Sequence, residues 1–338
     1  MSSMQFCSCT MTFASTHLPP LHLDSGLVRM APDVAVLRKC LLDVSQPIQK
    51  RTHAAFVLRT DGESEAVSAI GEALRNKQDS ALLRHELAYV LGQIGDRKAC
   101  PNLIAVLSDE NDDSMVRHEA AEALGAIGEV EAVPVLETFV RDSVPEVADT
   151  CRLSLDLIRW RHQGGEDASL AQEKGQIGLD KSPYMSVDPA PADRVDVSTA
   201  ELEARLLDTS LPLFARYRAM FSLRNRNTTE AVAALAQGLK DPSPLFRHEV
   251  AYVFGQMQNP ASVPALKAVL EDGTEHRMVR HEAAEALGAV GGADCEGVLA
   301  RFVRDEEVVV RESCEVALGI AEYWGESVAR EVVESSAS

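Results

Sequence analysis

Apolar residues recur every three or four positions along most of the chain, the spacing that lines one face of an α-helix. One such stripe is Val133, Leu136 and Val140. The stripes come in pairs, and the second of each pair carries an equivalent leucine or phenylalanine at positions 58, 91, 124 and 155, then at 223, 254, 287 and 318. This regular spacing predicts helical hairpins that stack on one another, because one hairpin cannot bury its own apolar face.

Hairpins of this length resemble HEAT repeats, and the two series of four predict two arms. The predicted fold class is all-α, an α-superhelix of eight HEAT-like helical-hairpin repeats in two four-repeat arms. Between the arms, a glycine pair at 164–165 and a proline-containing run at 186–192 indicate a linker. The predicted divisions are a disordered N-terminal extension at 1–31, an N-terminal arm at 32–160, an interarm linker at 161–198, a C-terminal arm at 199–325 and a tail at 326–338.

Prolines and glycines suggest where the helices begin and end. Prolines at the start of several first helices, where a missing N–H costs little, predict helix openings at Pro101, Pro134 and Pro264. Glycines late in the second helices predict left-handed helix ends at Gly92, Gly125, Gly255 and Gly288.

Composition and charge narrow the function classes. Apolar residues make up 46% of the chain but aromatic residues only 5%, which favours stacked helices over a sandwich or barrel. The formal net charge of −19 disfavours binding to nucleic acid or to an anionic membrane. It favours a basic protein partner or a cationic group on a substrate.

The cysteines and the N-terminus bear on the compartment. The seven cysteines are scattered, with no spacing typical of a disulfide framework, which indicates a reducing environment. No stretch is long and apolar enough to predict a membrane span, and the first 30 residues lack the basic start and apolar run of a secretory signal. We therefore expect a cytoplasmic protein.

One tripeptide, Arg-His-Glu, occurs at four equivalent points of the duplicated array. The copies are Arg84-His85-Glu86, Arg117-His118-Glu119, Arg247-His248-Glu249 and Arg280-His281-Glu282. The second pair of copies repeats the first after a shift of 163 residues. Imidazole and carboxylate groups are common ligands of transition metals, and equivalent faces of stacked hairpins lie side by side.

The four histidine–glutamate pairs predict a metal centre between the arms. Two histidines and one carboxylate from each arm form the facial triad that is typical of non-haem Fe(II) sites and leaves positions open for oxygen or substrate. If the arms face each other, two such triads form a dinuclear centre. The spacing alone does not choose iron over manganese or zinc, nor does it decide which glutamate of each arm is the ligand.

Other hypotheses compete with this one. The histidines could be structural residues copied by the duplication, in which case the protein is a metal-free HEAT-repeat scaffold that binds other proteins. A dinuclear zinc or manganese hydrolase is another alternative, and a HEAT-type lyase acting on bilins or similar groups would not need the four pairs.

Residues around the pairs admit more than one role. The four arginines at 84, 117, 247 and 280 are expected to form salt bridges between units rather than to tune the carboxylates. Glu122 and Glu285 could hydrogen-bond the ligand histidines or stay solvated. Tyr89 and Tyr252 are expected to be packing residues, with lining of the cleft as the lesser alternative.

The strings RHELAYVLGQ and VRHEAAEALGAIG, the four histidine–glutamate pairs and the linker phrase SVDPAP resemble the deoxyhypusine hydroxylase family over about residues 32 to 324. The resemblance implies a non-haem diiron, O2-dependent monooxygenase with an external electron donor. Its substrate would be the deoxyhypusine side chain of a eukaryotic translation initiation factor, in the last step of hypusine biosynthesis.

The resemblance also implies roles for individual residues. His85, His118 and Glu119 would bind one iron, and His248, His281 and Glu282 would bind the other. Glu86 and Glu249 would face the substrate and hold its amines.

Overall fold

The computed structural model describes residues 34–61, 64–163 and 182–319 of the 338-residue chain. Helices dominate these residues, and no β-strand occurs among them. The predicted extension at 1–31, the predicted tail at 326–338 and much of the predicted linker lie outside the described residues. None of the described helices is both long and apolar enough to cross a lipid bilayer.

The N-terminal half consists of helices that alternate between the outer and inner layer of the stack. They are α1 (Val34–Leu42), α2 (Ile48–Asp61), α3 (Ser64–Leu74), α4 (Ala81–Ile94), α5 (Cys100–Ser108), α6 (Ser114–Ile127), α7 (Val133–Phe139) and α8 (Pro145–His162).

The C-terminal half repeats this order. Its helices are α9 (Thr199–Leu207), α10 (Leu213–Arg226), α11 (Thr229–Gly238), α12 (Pro244–Met257), α13 (Val263–Glu271), α14 (Arg277–Val290), α15 (Ala293–Phe302) and α16, which is helical over residues 308–319.

The second helices of consecutive pairs pack side by side, α4 on α6 on α8 in one half and α12 on α14 in the other. Each half has its own apolar core, but Leu82, Met115 and Leu153 of the N-terminal half are buried in the core of the C-terminal half. The two halves therefore share one interior. The all-α class and the stacked hairpins are confirmed, whereas the number of eight repeats and the division boundaries remain predictions.

The predicted prolines open their helices, but the prediction for the glycines was wrong. Pro101, Pro134 and Pro264 lie in the first turns of α5, α7 and α13. The glycines at 92, 125, 255 and 288 lie inside the second helices, and the left-handed residues that end α4 and α6 are Gly95 and Gly128.

The internal glycines instead permit close helix packing. A β-carbon at Gly92 would lie 2.8 Å from the Cα atom of Ala123 on the next inner helix, and one at Gly125 would lie 2.6 Å from Ser154. Both distances are shorter than van der Waals contact, so a side chain at either glycine would push the inner helices apart.

The arginines of the tripeptides hold neighbouring units together, as expected. Arg84 donates from Nε to the carbonyl of Leu74 and forms a bidentate pair with Asp112 at 2.6 Å. Arg280 repeats this pattern with Leu270 and Asp305, whereas Arg117 donates to Leu107 and to Asp142 through a single nitrogen. Arg247 pairs with Glu275 instead. None of these guanidinium groups donates a hydrogen bond to a glutamate of the tripeptides.

A non-helical segment, residues 182–193, crosses between the halves and is called the strap below. Asp188 of the strap forms a bidentate ion pair with the fully buried Arg224 of α10, with distances of 2.8 and 2.7 Å. Ala190 is fully buried in the C-terminal core. The backbone of Val187 forms two hydrogen bonds with Gln93 of α4. The strap thus contacts both halves.

Candidate metal centre

The inner helices present a layered face to the middle of the molecule. On α4 the layers are Leu82, then His85 and Glu86, then Tyr89, then Gln93, spaced as one side of a helix requires. The same spacing on α12 places the residues 163 positions later at matching heights. The helix pattern therefore brings the four histidines to one level and the acidic and tyrosine side chains to the levels beside them.

The four histidine rings form a compact cluster at the centre of the molecule. The ring centroids of neighbouring histidines lie 5.1 to 5.5 Å apart along the edges His85–His118, His118–His248, His248–His281 and His281–His85. The diagonal from His85 to His248 is 6.1 Å. All four residues are at most 5% exposed. The structure thus brings together the histidines that the sequence predicted to meet.

Two glutamates of the tripeptides approach these rings. A carboxylate oxygen of Glu119 lies 3.3 Å from Nε2 of His85, and Glu282 lies at the same distance from Nε2 of His248. In each half the contact joins the histidine of one inner helix to the glutamate of the next. Each carboxylate therefore points at the same space as the imidazole nitrogens.

Most of the imidazole nitrogens have no hydrogen-bonding partner. These atoms are Nε2 of His85 and both ring nitrogens of His118, His248 and His281. A buried polar atom without a partner costs about 1–3 kcal/mol, so seven such atoms in one cluster need an explanation. A metal ion would supply it, because neutral imidazole nitrogens are metal ligands.

The positions of the ligand atoms fit this explanation. Three groups place one potential ligand atom from each member within 4.8 Å of the others: His85 with His118 and His248, His248 with His281 and Glu282, and His118 with Glu119 and Glu122. The second group is a complete predicted triad from one half. The first group contains residues of both halves, so their donor atoms converge on a shared space, whereas the third group lies within the N-terminal half.

Burial and charge shape the ionisation of the cluster. Burial, and then the positive charge at His85, lower the pKa of His118 and of His281 well below the usual range, which favours the neutral imidazole. Burial alone would also lower the pKa of His85, but the carboxylates of Glu119 and Glu86 outweigh it and raise that pKa.

A pocket extends from the histidines towards the tyrosine layer. Its empty volume is about 390 Å³, part of it open to solvent. Six glutamates line it, together with His85, His248, Tyr89 and Tyr252. The two tyrosine hydroxyl groups lie 3.0 Å apart and join the halves by a hydrogen bond. The tyrosines therefore line the cleft, the lesser alternative from the sequence, and they also pack in the apolar core, as expected.

The opposite end of the cluster is closed by apolar side chains. Leu82 and Met115 of the N-terminal half meet Leu245 and Met278 of the C-terminal half, each at most 1% exposed. Beyond this layer, Arg277 forms an ion pair with Asp113 of the other half at 2.6 Å. Sequence reasoning missed this floor, although its members stand three residues before each histidine.

Sequence reasoning also missed the residues that tie the strap to the pocket. Arg224 donates to the side-chain oxygen of Gln256, and that amide donates in turn to Ser186 and to the hydroxyl of Tyr252. The shared glutamine at equivalent places of RHELAYVLGQ and its copy was the available signal.

Comparisons with known proteins agree with the fold. The chain matches a family model described as HEAT repeats over residues 34–114, 72–156, 199–278 and 236–319. This match confirms that the stacked hairpins are of the predicted HEAT type.

Curated relatives share about half of their residues with this chain. The deoxyhypusine hydroxylase of Drosophila pseudoobscura pseudoobscura is 50% identical over 278 residues, which cover 82% of this chain and 88% of the relative. That of Danio rerio is 50% identical over 296 residues, covering 87% and 93%. A solved structure of human deoxyhypusine hydroxylase in complex with glycerol aligns with a TM-score of 0.77 at 48% identity, covering 86% of this chain and 96% of that chain.

Proposed function

Because this chain belongs to the deoxyhypusine hydroxylase family, we propose that it hydroxylates the deoxyhypusine side chain of a eukaryotic translation initiation factor. The reaction is the final step of hypusine biosynthesis and uses O2 with two irons bound between the halves. One oxygen atom of O2 enters the side chain and the other leaves as water, with two electrons from an external donor and two protons from solvent. The observation that carries the proposal is the cluster of imidazole nitrogens without partners.

The proposed ligands of the first iron are His85, His118 and Glu119. Those of the second iron are His248, His281 and Glu282. The carboxylate–imidazole distances of 3.3 Å in both halves support these two sets, because each brings a glutamate oxygen to an imidazole nitrogen that lacks a hydrogen bond. Bound ferrous iron would supply the redox chemistry that activates O2, which no side chain in the pocket can provide.

The protein's own residues would bind and orient the substrate. Glu86 and Glu249 line the pocket and are proposed to accept hydrogen bonds from the ammonium groups of the deoxyhypusine side chain. The buried floor of Leu82, Met115 and their two counterparts would keep water from the far side of the histidines. The acidic chain would attract the basic surface around the substrate side chain.

We also propose that the protein is cytoplasmic. All described cysteines are free thiols, which supports the cytoplasmic location expected from the sequence.

The decisive experiment measures oxygen insertion. Iron-loaded protein incubated with O2, a reductant and the deoxyhypusine-bearing factor should add the mass of one oxygen atom to the factor, and protein stripped of iron should add none. An unchanged mass with the fully loaded protein would refute the proposed reaction. Purified protein that takes up no iron would favour the metal-free scaffold.

A further inference from the structure

The two outer carboxylate pairs of the pocket are related by the duplication but have different surroundings. The shift of 163 residues relates Glu86 to Glu249 and Glu122 to Glu285. All four glutamates line the pocket. Their hydrogen bonds divide them into two pairs, Glu86 with Glu285 and Glu122 with Glu249.

The Glu86–Glu285 pair is bonded to protein groups. An oxygen of Glu86 lies 3.0 Å from Nδ1 of His85. Glu285 accepts a hydrogen bond of 3.2 Å from the hydroxyl of Ser313 and lies 3.6 Å from Nδ1 of His281. Glu86 thus bonds the second nitrogen of a proposed ligand histidine, an arrangement that fixes the orientation of the ring behind a metal ligand. The distance from Glu285 to His281 is longer than a hydrogen bond but within ion-pair range.

The Glu122–Glu249 pair lacks these partners. One carboxylate oxygen of Glu249 is buried without a hydrogen bond, although the residue lines the pocket and is only 2% exposed. Glu122 is half-buried and makes no hydrogen bond within the described part of the chain. Thr150 occupies the position equivalent to Ser313, but its hydroxyl donates to the carbonyl of Glu146 instead.

Among the described residues that line the pocket, the basic side chains are His85 and His248, and there is no lysine or arginine. A buried carboxylate with a free oxygen, beside a second carboxylate and an open pocket, is a site for a positively charged hydrogen-bond donor.

We propose that Glu122 and Glu249 together form the principal ammonium subsite of the pocket, and that Glu285 and Glu86 are positioning residues for His281 and His85. The proposal rests on the proposed function, since it names where an alkylammonium group of the substrate binds. Glu122 is the added substrate contact. Glu86 keeps only its second oxygen for the substrate, because its first is bonded to His85.

The test compares Glu122→Gln with its duplicated counterpart Glu285→Gln in the iron-loaded full chain. Calorimetry without O2 gives the Kd for the deoxyhypusine-bearing factor, and metal analysis gives the iron content. Glu122→Gln should weaken binding of the factor about 10- to 100-fold, the worth of a hydrogen bond to a charged group, with iron content unchanged.

The matched variant, Glu285→Gln, should lose affinity for iron rather than for the factor. Glu285→Gln should keep the Kd for the factor within about threefold, yet lower iron affinity by about 10- to 100-fold, as the loss of a group behind a metal ligand does. Glu122→Asp retains the charge and should recover most of the binding. Equal losses of factor binding in the two glutamine variants, or loss of iron in Glu122→Gln, would overturn the proposal.

A small probe separates this proposal from the proposed function. If the unaltered protein fails to bind the factor, the proposed function fails, and 1,4-diaminobutane then tests the subsite alone. Binding of the diamine that Glu122→Gln weakens and Glu285→Gln does not would support the subsite. No binding of the diamine, or equal binding by both variants, would refute it.

Discussion

The two halves of the molecule carry nearly the same sequence motifs but do not have the same neighbours. Gln93 in the N-terminal half bonds the backbone of the strap, whereas its counterpart Gln256 bonds a strap side chain and the hydroxyl of Tyr252. Arg224 is fully buried beneath the strap, whereas its counterpart Arg59 is partly exposed. A single connection that crosses the molecule once cannot treat both halves alike, so duplicated residues acquire different roles.

The centre of the molecule shows the opposite behaviour. The histidine edges within the two halves are equal at 5.3 Å, and the carboxylate contacts are equal at 3.3 Å. Symmetry is therefore kept at the histidine level and lost towards the strap. Variants at equivalent positions of the two halves can show where the symmetry at the histidines ends and the asymmetry near the strap begins.

The largest effect is expected from the histidines. His118→Ala and His281→Ala should each lower iron affinity by more than about 100-fold and abolish oxygen insertion, because losing even a group behind a metal ligand can cost that much. The check is iron content together with the mass of the factor, and the exposed His162, changed to alanine, is the control. Full iron in either variant would contradict the assigned ligands and the equivalence of the two halves.

The next largest effect is expected at the strap. Asp188→Ala should lower the free energy of unfolding by about 3–5 kcal/mol, because it leaves the buried Arg224 without its carboxylate. Denaturant unfolding measures this loss. Glu72→Ala breaks an exposed pair with Arg38 and should cost no more than about 1 kcal/mol. Similar costs for both variants would show that the strap does not stabilise the C-terminal half.

A smaller difference is expected between equivalent glycines. A β-carbon at Gly92 meets the Cα atom of Ala123 at 2.8 Å, but one at Gly255 meets that of Ala286 at 3.2 Å. Gly92→Ala should destabilise the protein by about 1–3 kcal/mol. Gly255→Ala should be nearly neutral, because alanine's helix preference of about 1 kcal/mol offsets the milder crowding. Thermal unfolding of the two variants measures this difference. A larger loss of stability in Gly255→Ala than in Gly92→Ala would contradict the difference in packing.

The smallest effect is expected on stability at low pH and should be similar in the two halves. Burial alone would raise the pKa of Asp142 and of Asp305, but hydrogen bonds from Arg117 and Arg280 outweigh it and lower both. A lowered folded-state pKa means stability that is present above the unfolded value of about 3.9 and lost as pH falls through the folded value.

Removing either carboxylate should therefore remove part of this acid dependence. Asp142→Asn and Asp305→Asn should flatten the fall of unfolding free energy below about pH 4 to a similar extent. Unfolding curves across that range provide the measurement. A flattening in only one variant would place the difference between the halves in the arginine pairs as well as in the strap.

The features that could be predicted from the sequence are those that follow from the repeat spacing. The stacked hairpins and the meeting of His85, His118, His248 and His281 follow from the period, because equivalent faces of stacked helices must align. The inter-unit pairing of the arginines was also correct. These features depend on neighbours one repeat away, which the sequence pattern contains.

The features that escaped prediction depend on contacts between distant segments. A glycine late in a helical stripe fits either a helix end or a close helix contact, and only the position of Ala123 decides for Gly92. The sequence around Arg224 does not distinguish it from its counterpart Arg59, because the difference arises from the strap that covers Arg224. The different bonding of Glu122 and Glu285 depends on whether the hydroxyl of Thr150 or Ser313 turns towards the pocket.

The buried floor of Leu82, Met115, Leu245 and Met278 turns the centre of the molecule into a chamber that is shut at one end. The pocket beside the histidines therefore extends towards Tyr89 and Tyr252. A long side chain that occupied this opening would also block it. In the proposed reaction, occupation of this opening would affect the order in which O2 and the substrate enter and the product leaves.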